Sequence, residues 1–82
     1  MTSREIEILK ALKVLGFRFL ARDTNAHLFA YYDKPYKLPH YWVLDNSENI
    51  MVNSDLFDFI KWTDEEPIKI DDLLKENNKW TT

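Results

Sequence analysis

The sequence predicts a small α+β domain, in which an N-terminal helix packs on a three- to four-stranded antiparallel sheet and short helical segments follow near the C terminus. Apolar residues recur at helical spacing near the N terminus, then alternate with polar residues as in strands, and no strand–helix–strand repeat follows. With 82 residues, 45% of them hydrophobic and 15% aromatic, the chain suits one domain with one core. We expect this domain to span residues 1–76 and residues 77–82 to form a frayed tail.

The first predicted element is a helix over about residues 3–15. The run Thr2-Ser3-Arg4-Glu5 matches a capping box, in which a hydroxyl and a carboxylate each bind a free backbone N–H group. Gly16, the only glycine, stands where a left-handed cap ends a helix. Between these ends, one apolar stripe has the spacing of a helix face: Ile8, Leu12 and Leu15.

Two strands and a hairpin turn are predicted next. From Phe17 to Arg22 the side chains alternate between two sides, as in a strand with one face on a core, and residues 27–32 continue in kind. Residues 23–26 between them are rich in side chains that favour turns. Residues 33–39 contain two prolines, so we expect an extended loop there.

The second half of the chain predicts shorter elements. Residues 40–44 and 50–53 indicate a third and fourth strand around a polar turn at residues 45–49. Residues 56–60 indicate a short helical turn capped by Asn53 or Ser54. Residues 64–67 should interrupt the regular secondary structure. A last short helix is expected to start near Asp71 and Asp72, whose carboxylates suit its positive end.

Several phrases of the sequence are shared with a known group of proteins: Gly16–Asp23, Lys34-Pro35, Trp42, Leu56-Phe57, and Lys61-Trp62 followed by Asp64–Pro67. Together they resemble small uncharacterised proteins of phages and prophages of Gram-positive bacteria, over about residues 5–75. The resemblance implies an accessory protein that acts by binding host components, as anti-CRISPR and other anti-defence inhibitors do. It implies no catalytic residues.

The charges separate along the chain. Residues 1–42 carry seven Lys/Arg and four Asp/Glu, a net of +3, whereas residues 43–82 carry four and ten, a net of −6. The electric field of such separated charges guides the approach of charged partners to one side of a protein. We therefore predict that a host or defence protein with a basic surface binds the acidic half, although a run of this kind is also typical of a solvated face. The predicted binding residues are Asp55, Asp58, Trp62, Asp64, Glu65, Glu66, Asp71 and Asp72.

An alternative hypothesis is a nucleic-acid-binding module, because aromatic and basic residues interleave in the first half. Such mixtures stack bases and neutralise phosphates. The net charge of −3 and a pI near 5.2 argue against it, and packing in the core or at its rim explains the same residues. The candidate residues are Arg18, Arg22, Tyr31, Lys34, Tyr36, Lys37 and Trp42.

Catalytic and metal chemistry find weaker support. A single glycine excludes the common nucleotide-binding fingerprints. A small hydrolase using Asp55 and Asp58 remains a third hypothesis, but so small a domain rarely supplies the cleft. His27 and His40 could meet with Asp33 at a metal, although strand histidines are more often structural. We expect a non-enzymatic protein without metal or cofactor.

The sequence also indicates a compartment and an assembly state. The absence of cysteine fits a reducing compartment, the apolar runs are too short to span a bilayer, and the first residues do not match a signal peptide. We therefore expect the protein in the cytoplasm of a bacterial host, away from membranes. An uncovered edge strand pairs readily with its own kind, so a homodimer is an open alternative.

Overall fold

The computed structural model describes the backbone of residues 1–44 and 49–81, and the side chains of these residues up to Glu76. The elements are α1 (Ser3–Val14), β1 (Phe19–Arg22), β2 (Leu28–Tyr31), β3 (Tyr36–Lys37), β4 (Trp42–Val43), β5 (Asn49–Val52), β6 (Ile68–Lys69) and α2 (Ile70–Thr81). An antiparallel sheet has the strand order β5-β2-β1-β6, and β3 pairs with β4 in a second, two-stranded sheet. The predicted α+β class is confirmed.

Helix α1 begins and ends at the predicted signals. The Thr2 hydroxyl accepts a hydrogen bond from Glu5 N–H (3.1 Å), and Glu5 Oε1 accepts one from Thr2 N–H (2.8 Å). At the C-terminal end Gly16 has φ +101°, and Phe17 N–H donates to Leu12 O. Both ends of the helix are therefore determined by capping residues that can be recognised in the sequence.

The buried stripe of α1 is rotated from the predicted one. The residues that it buries are Glu5, Leu9 and Leu12. Leu15, which we expected in the stripe, is 62% exposed, and Ile8 is half-buried. The rotation brings the Glu5 carboxylate inward, where it has a hydrogen-bond partner described below.

Strand β1 is buried on both faces, from Phe19 to Arg22, which corrects the prediction of a strand with one covered face. Residues of α1 and α2 pack on one face, and Trp42 of β4 packs on the other. The helix-side core consists of Leu9, Leu12, Phe17, Leu20, Leu28, Ala30, Val52, Phe57, Ile60, Ile70 and Leu73. The core on the other face, which we call the hairpin-side core after the β3–β4 hairpin, consists of Phe19, Ala21, Tyr31 and Trp42.

Several predicted elements after β2 are wrong or differ in length. Residues 33–39 contain strand β3 instead of forming only a loop, and residues 56–60 form tight turns instead of a helical turn. Strand β6 has no counterpart among the predicted strands, because two residues carry no alternation. Helix α2 starts at Ile70, as the sequence predicts, but runs through Thr81.

Some predictions concern residues that the structure does not describe. The polar turn at residues 45–49 falls mainly on residues 45–48, which lie outside the described part, while Asn49 starts β5. The side chains of residues 77–82 also lie outside it. The frayed tail therefore stays a prediction.

The Arg22 side chain is 9% exposed, and backbone carbonyl groups satisfy it completely. Nε donates to Ile60 O (2.6 Å), Nη1 to Ala26 O (2.8 Å) and Ser54 O (3.1 Å), and Nη2 to Leu56 O (2.9 Å) and Phe57 O (3.1 Å). A guanidinium has five N–H donors, so all five are used. Within the described residues no carboxylate forms an ion pair with Arg22. The carbonyl dipoles therefore stabilise the buried charge and hold residues 54–60 against the sheet.

In the described part of the chain, two residues other than glycine have a left-handed backbone, and Arg22 binds the carbonyl of each. Ala26 has φ +72° and Phe57 has φ +53°. This conformation costs roughly 1–2 kcal/mol for an L residue, because Cβ approaches a carbonyl oxygen. The hydrogen bonds from Arg22 offset that cost at both places.

The backbone of Phe57 is also held from the other side. Its N–H donates to Glu5 Oε2 (2.5 Å), so the carboxylate that caps α1 binds a residue 52 positions away. The hydrogen bond from Thr2 N–H contributes most to lowering the pKa of Glu5; burial opposes it, and the bond from Phe57 N–H adds to it. The charged carboxylate thus links α1 to the segment that Arg22 organises.

We expect Arg22→Lys to lower the free energy of unfolding by about 3 kcal/mol or more, because an ammonium group has three donors on one nitrogen and leaves buried carbonyls without partners. Urea unfolding followed by circular dichroism measures it. The matched control Arg18→Lys changes an exposed arginine and should stay within about 0.5 kcal/mol of the parent. Equal losses in the two variants would contradict the role assigned to Arg22.

Ala26→Gly should raise the free energy of unfolding by about 0.5–1 kcal/mol, since glycine adopts φ +72° without strain. The same exchange at Ala11, an exposed residue within α1, should lower it by about 1 kcal/mol. Thermal unfolding of both variants gives the two signs. A loss at Ala26 as large as that at Ala11 would mean that the turn carries no strain.

The stability of the protein should fall as the pH drops below about 4.5, the ordinary pKa of a glutamate. Because the pKa of Glu5 is lowered in the folded state, the unfolded chain takes up the proton first, and the contribution of Glu5 is lost as the pH falls through the folded value. Glu5→Gln should reduce this pH dependence, measured by urea unfolding between pH 3 and 7. Glu7→Gln, an exposed exchange on the same helix, should leave it unchanged; the reverse pattern would refute the assignment.

Candidate functional site

Opposite charges from the two halves of the chain are partly paired with each other. Lys13 Nζ lies 2.9 Å from Asp71 Oδ1, and Lys34 Nζ lies 2.8 Å from Glu66 Oε2. Both pairs are exposed, so each stabilises the fold only slightly. The charge asymmetry that the sequence displays is thus used in part inside the molecule, which leaves less of it for a partner.

Several of the predicted acidic residues have partners within the fold. Asp64 binds its own turn, because its Oδ2 accepts a hydrogen bond from Lys61 N–H (3.0 Å). Asp71 pairs with Lys13, and its pKa is lowered chiefly by the hydrogen bond from that ammonium group. Asp55 and Asp58 lie in the turns of residues 54–59. Of the whole predicted set, Glu66 and Asp72 line the same groove.

That groove, which we call the β6–α2 groove, is an open depression of about 730 Å³ beside β6 and α2. Its apolar lining residues are Phe19, Phe59, Pro67, Ile68 and Leu73. Its charged lining residues are Lys34, Glu66, Lys69, Asp72 and Glu76. An apolar floor with charged side chains beside it offers both contact area and orientation to a bound segment.

One helical face accounts for much of this lining. Asp72, Leu73 and Glu76 of α2 follow one another at intervals of one and three residues, which is the spacing of a single helix face. Strand β6 passes directly into α2, and Ile70 N–H donates to Arg18 O (2.9 Å). This spacing is visible in the sequence and could have identified Glu76, which the sequence analysis missed, whereas Lys69 lies in the short strand β6 and no helical spacing identifies it.

Phe59 forms the exposed aromatic part of the groove. It belongs to residues 56–60, where the sequence predicts a helical turn, and it is 42% exposed. Its ring meets the buried ring of Phe57 edge to face, with centroids 6.2 Å apart. Because Arg22 and Glu5 fix the backbone of Phe57, they also determine where Phe59 lies.

A smaller recess of about 170 Å³ continues the groove and shares Phe19, Lys69 and Asp72 with it. The other lining residues of the recess are Arg18, Asp71 and Lys75. The β6–α2 groove is the wide end of this combined depression. It is lined by three carboxylates and two ammonium groups, and one of these ammonium groups, that of Lys34, is paired with Glu66. The recess holds three cationic groups and two carboxylates, one of them paired with Lys13. This gradient can orient a bound segment.

The predicted nucleic-acid surface is corrected by the structure. Arg22, Tyr31 and Trp42 are buried, so they can neither stack bases nor reach phosphates. The Tyr31 hydroxyl donates a long hydrogen bond to Trp42 O (3.4 Å), and burial raises the pKa of Tyr31. These aromatic rings build the hairpin-side core instead.

The exposed members of that predicted set are separated or already engaged. Lys37 Nζ donates to Trp62 O (2.7 Å) and Asp64 O (3.0 Å), and it lies 4.2 Å from the centroid of the Trp62 ring. Lys34 pairs with Glu66. Arg18 lies in the recess, while Tyr36 is exposed on β3. Lys37 therefore holds Trp62, a predicted partner contact, against the hairpin side of the fold.

The metal and hydrolase hypotheses gain no geometric support. In residues 1–44 and 49–76 no three His, Asp or Glu side chains converge as a metal site would require. His27 and His40 are exposed. The helical turn that would have set Asp55 and Asp58 one turn apart does not form. The described lining residues of the groove are charged or apolar, so they offer charge and apolar contact to a ligand.

Comparison with known proteins finds no family model, no curated protein and no solved structure that matches this chain. Among the residues that the structure describes, no helix has the length and apolar character that a bilayer crossing requires.

Proposed function

We propose that this protein is a non-enzymatic binding protein that takes a segment of a partner protein into the β6–α2 groove. The observation that carries the proposal is the position of Glu66, Asp72 and Glu76 beside an apolar floor that includes the exposed ring of Phe59. Aromatic rings next to charged groups are typical of the residues that dominate binding energy at interfaces.

The proposed segment carries a lysine or arginine at the wide end of the groove. Asp72 and Glu76 make no ion pair within the described residues, so they are available to a cationic side chain from outside. Glu66 is shared with Lys34. Because these groups are exposed, they contribute more to steering and orientation than to affinity, and the apolar floor supplies most of the contact area.

We further propose that the partner is a host or defence protein with a basic surface, which the bound domain inhibits by occupying that surface. The support for this step is the acidic balance of the second half of the chain and the resemblance of several sequence phrases to phage and prophage proteins. A nucleic-acid-binding module is not proposed, because Arg22, Tyr31 and Trp42 are buried. A hydrolase is not proposed, because the helical turn expected to carry Asp55 and Asp58 does not form.

A labelled peptide of alternating lysine and phenylalanine residues tests the groove. We expect it to bind the wild-type protein, and the double variant Asp72→Asn with Glu76→Gln to bind about tenfold more weakly at low salt. The loss should shrink at high salt, where exposed charges are screened. Fluorescence anisotropy at two salt concentrations measures both effects.

The matched control removes the same two charges elsewhere, in Asp55→Asn with Asp58→Asn. It should bind as the wild type does, because those residues lie outside the groove. Lys34→Ala should strengthen binding, since it releases Glu66 for the peptide. If the control loses as much affinity as the groove variant, net charge alone explains the binding and the groove is not the site.

A further inference from the structure

The β6–α2 groove and the recess that continues it share a middle part and differ at their ends. Lys69 and Asp72, one cation and one carboxylate, line both cavities. Phe19 also lines both, and it stands opposite Lys69 in the pairing of β1 with β6. The polarity of the combined depression is therefore decided by the charged residues that line only one of the two cavities.

At the wide end, the charge that remains after internal pairing is negative. The charged residues that line the groove but not the recess are Lys34, Glu66 and Glu76. Lys34 and Glu66 neutralise each other in an ion pair of 2.8 Å. Glu76 is exposed and forms no ion pair within the described residues. The carboxylate of Glu76 therefore gives this end its sign.

In the recess, the charge that remains is positive. The charged residues that line the recess but not the groove are Arg18, Asp71 and Lys75. Asp71 is neutralised by Lys13, whose Nζ lies 2.9 Å from its Oδ1. Lys75 forms no ion pair within the described residues. Arg18 Nη1 lies 3.9 Å from Asp33 Oδ1, and both side chains are exposed, so this long pair leaves Arg18 able to bind another carboxylate.

The pKa of Asp71 is a second sign of the positive charge in the recess. The hydrogen bond from Lys13 and its charge lower this pKa most, and the charges of Lys75 and Arg18 lower it further. All three cations thus act on one exposed carboxylate, so they surround one place on the surface. A carboxylate that enters the recess from outside would meet the same attraction.

On the basis of the proposed function of the groove, we propose that the bound segment is bipolar and carries an acidic residue as well as a basic one. Its aspartate or glutamate lies in the recess beside Arg18 and Lys75, and its lysine or arginine lies near Glu76. Its apolar residues cover the groove floor between these ends. A segment with the opposite order of side chains would meet like charges at both ends, so the charges select among apolar segments.

Two labelled peptides with uncharged termini test the acidic end. The glutamate peptide is Lys-Lys-Phe-Thr-Phe-Thr-Glu-Glu, and the glutamine peptide has glutamine in place of both glutamates. Each peptide is also made in reverse sequence, because an extended segment can lie in the groove in either chain direction. We expect the glutamine peptide to bind the wild-type protein. In at least one chain direction the glutamate peptide should bind about fivefold more tightly at low salt, as measured by fluorescence anisotropy.

A variant of the recess locates the acidic end of the peptide. Arg18→Gln with Lys75→Gln should abolish most of the difference in affinity between the glutamate and glutamine peptides. The matched control is Arg4→Gln with Lys10→Gln, which also removes one exposed arginine and one exposed lysine. Neither of these control residues is among the described lining residues of the groove or the recess. The control should therefore keep the difference between the two peptides.

The possible results distinguish the acidic end from the groove itself. Suppose that the glutamine peptide binds and that Asp72→Asn with Glu76→Gln weakens it, but that the glutamate peptide binds no more tightly in either chain direction. The groove is then a binding site, and the bipolar segment is refuted. An equal loss of the difference in the recess variant and in its control would also refute it, because net charge would explain the preference. If neither peptide binds, the proposed function and the bipolar segment are both wrong.

Discussion

A single buried guanidinium determines the course of the chain through the second half of this protein. Arg22 donates to carbonyl groups in the hairpin turn after β1 and in residues 54–60, which form no regular element. Burying an arginine without a carboxylate partner is costly unless every N–H donor has a hydrogen-bond acceptor. The guanidinium and the backbone carbonyls around it therefore depend on each other. The charge needs those carbonyls, and they need the charge to keep Phe57 in its left-handed conformation.

The parts of the fold that the sequence predicts are those governed by neighbours in the chain. The capping box at Thr2 and the left-handed Gly16 act over a few residues, and both are found as predicted. The turns of residues 54–60 depend on Arg22, more than thirty positions earlier, and no local pattern reveals that. The run Phe19-Leu20-Ala21 could have indicated two covered faces, because it is apolar without interruption, but the arginine after it resembled a surface residue.

The candidate site was predictable only in part, for a related reason. Charge counts identified Glu66 and Asp72, yet a count cannot show that Lys34 pairs with Glu66 or that Asp55 lies outside the groove. The aromatic residues that suggested base stacking, Tyr31 and Trp42, were needed for the hairpin-side core. In a chain of 82 residues, a second core cluster has to be built from large side chains of several separate segments. The type of a residue alone therefore does not show whether its side chain is exposed.

The direct passage from β6 into α2 has a mechanical consequence. No loop separates Lys69 of β6 from Ile70 of α2, and the Ile70 N–H group donates to the carbonyl of Arg18, which precedes β1. The start of the helix is therefore attached both to β6 and to the chain next to the central strand. The part of the groove that α2 contributes is therefore joined directly to the sheet. A guest would therefore meet a preshaped surface whose ordering entropy was already lost when the chain folded, and none of its binding energy would be spent on closing a lid.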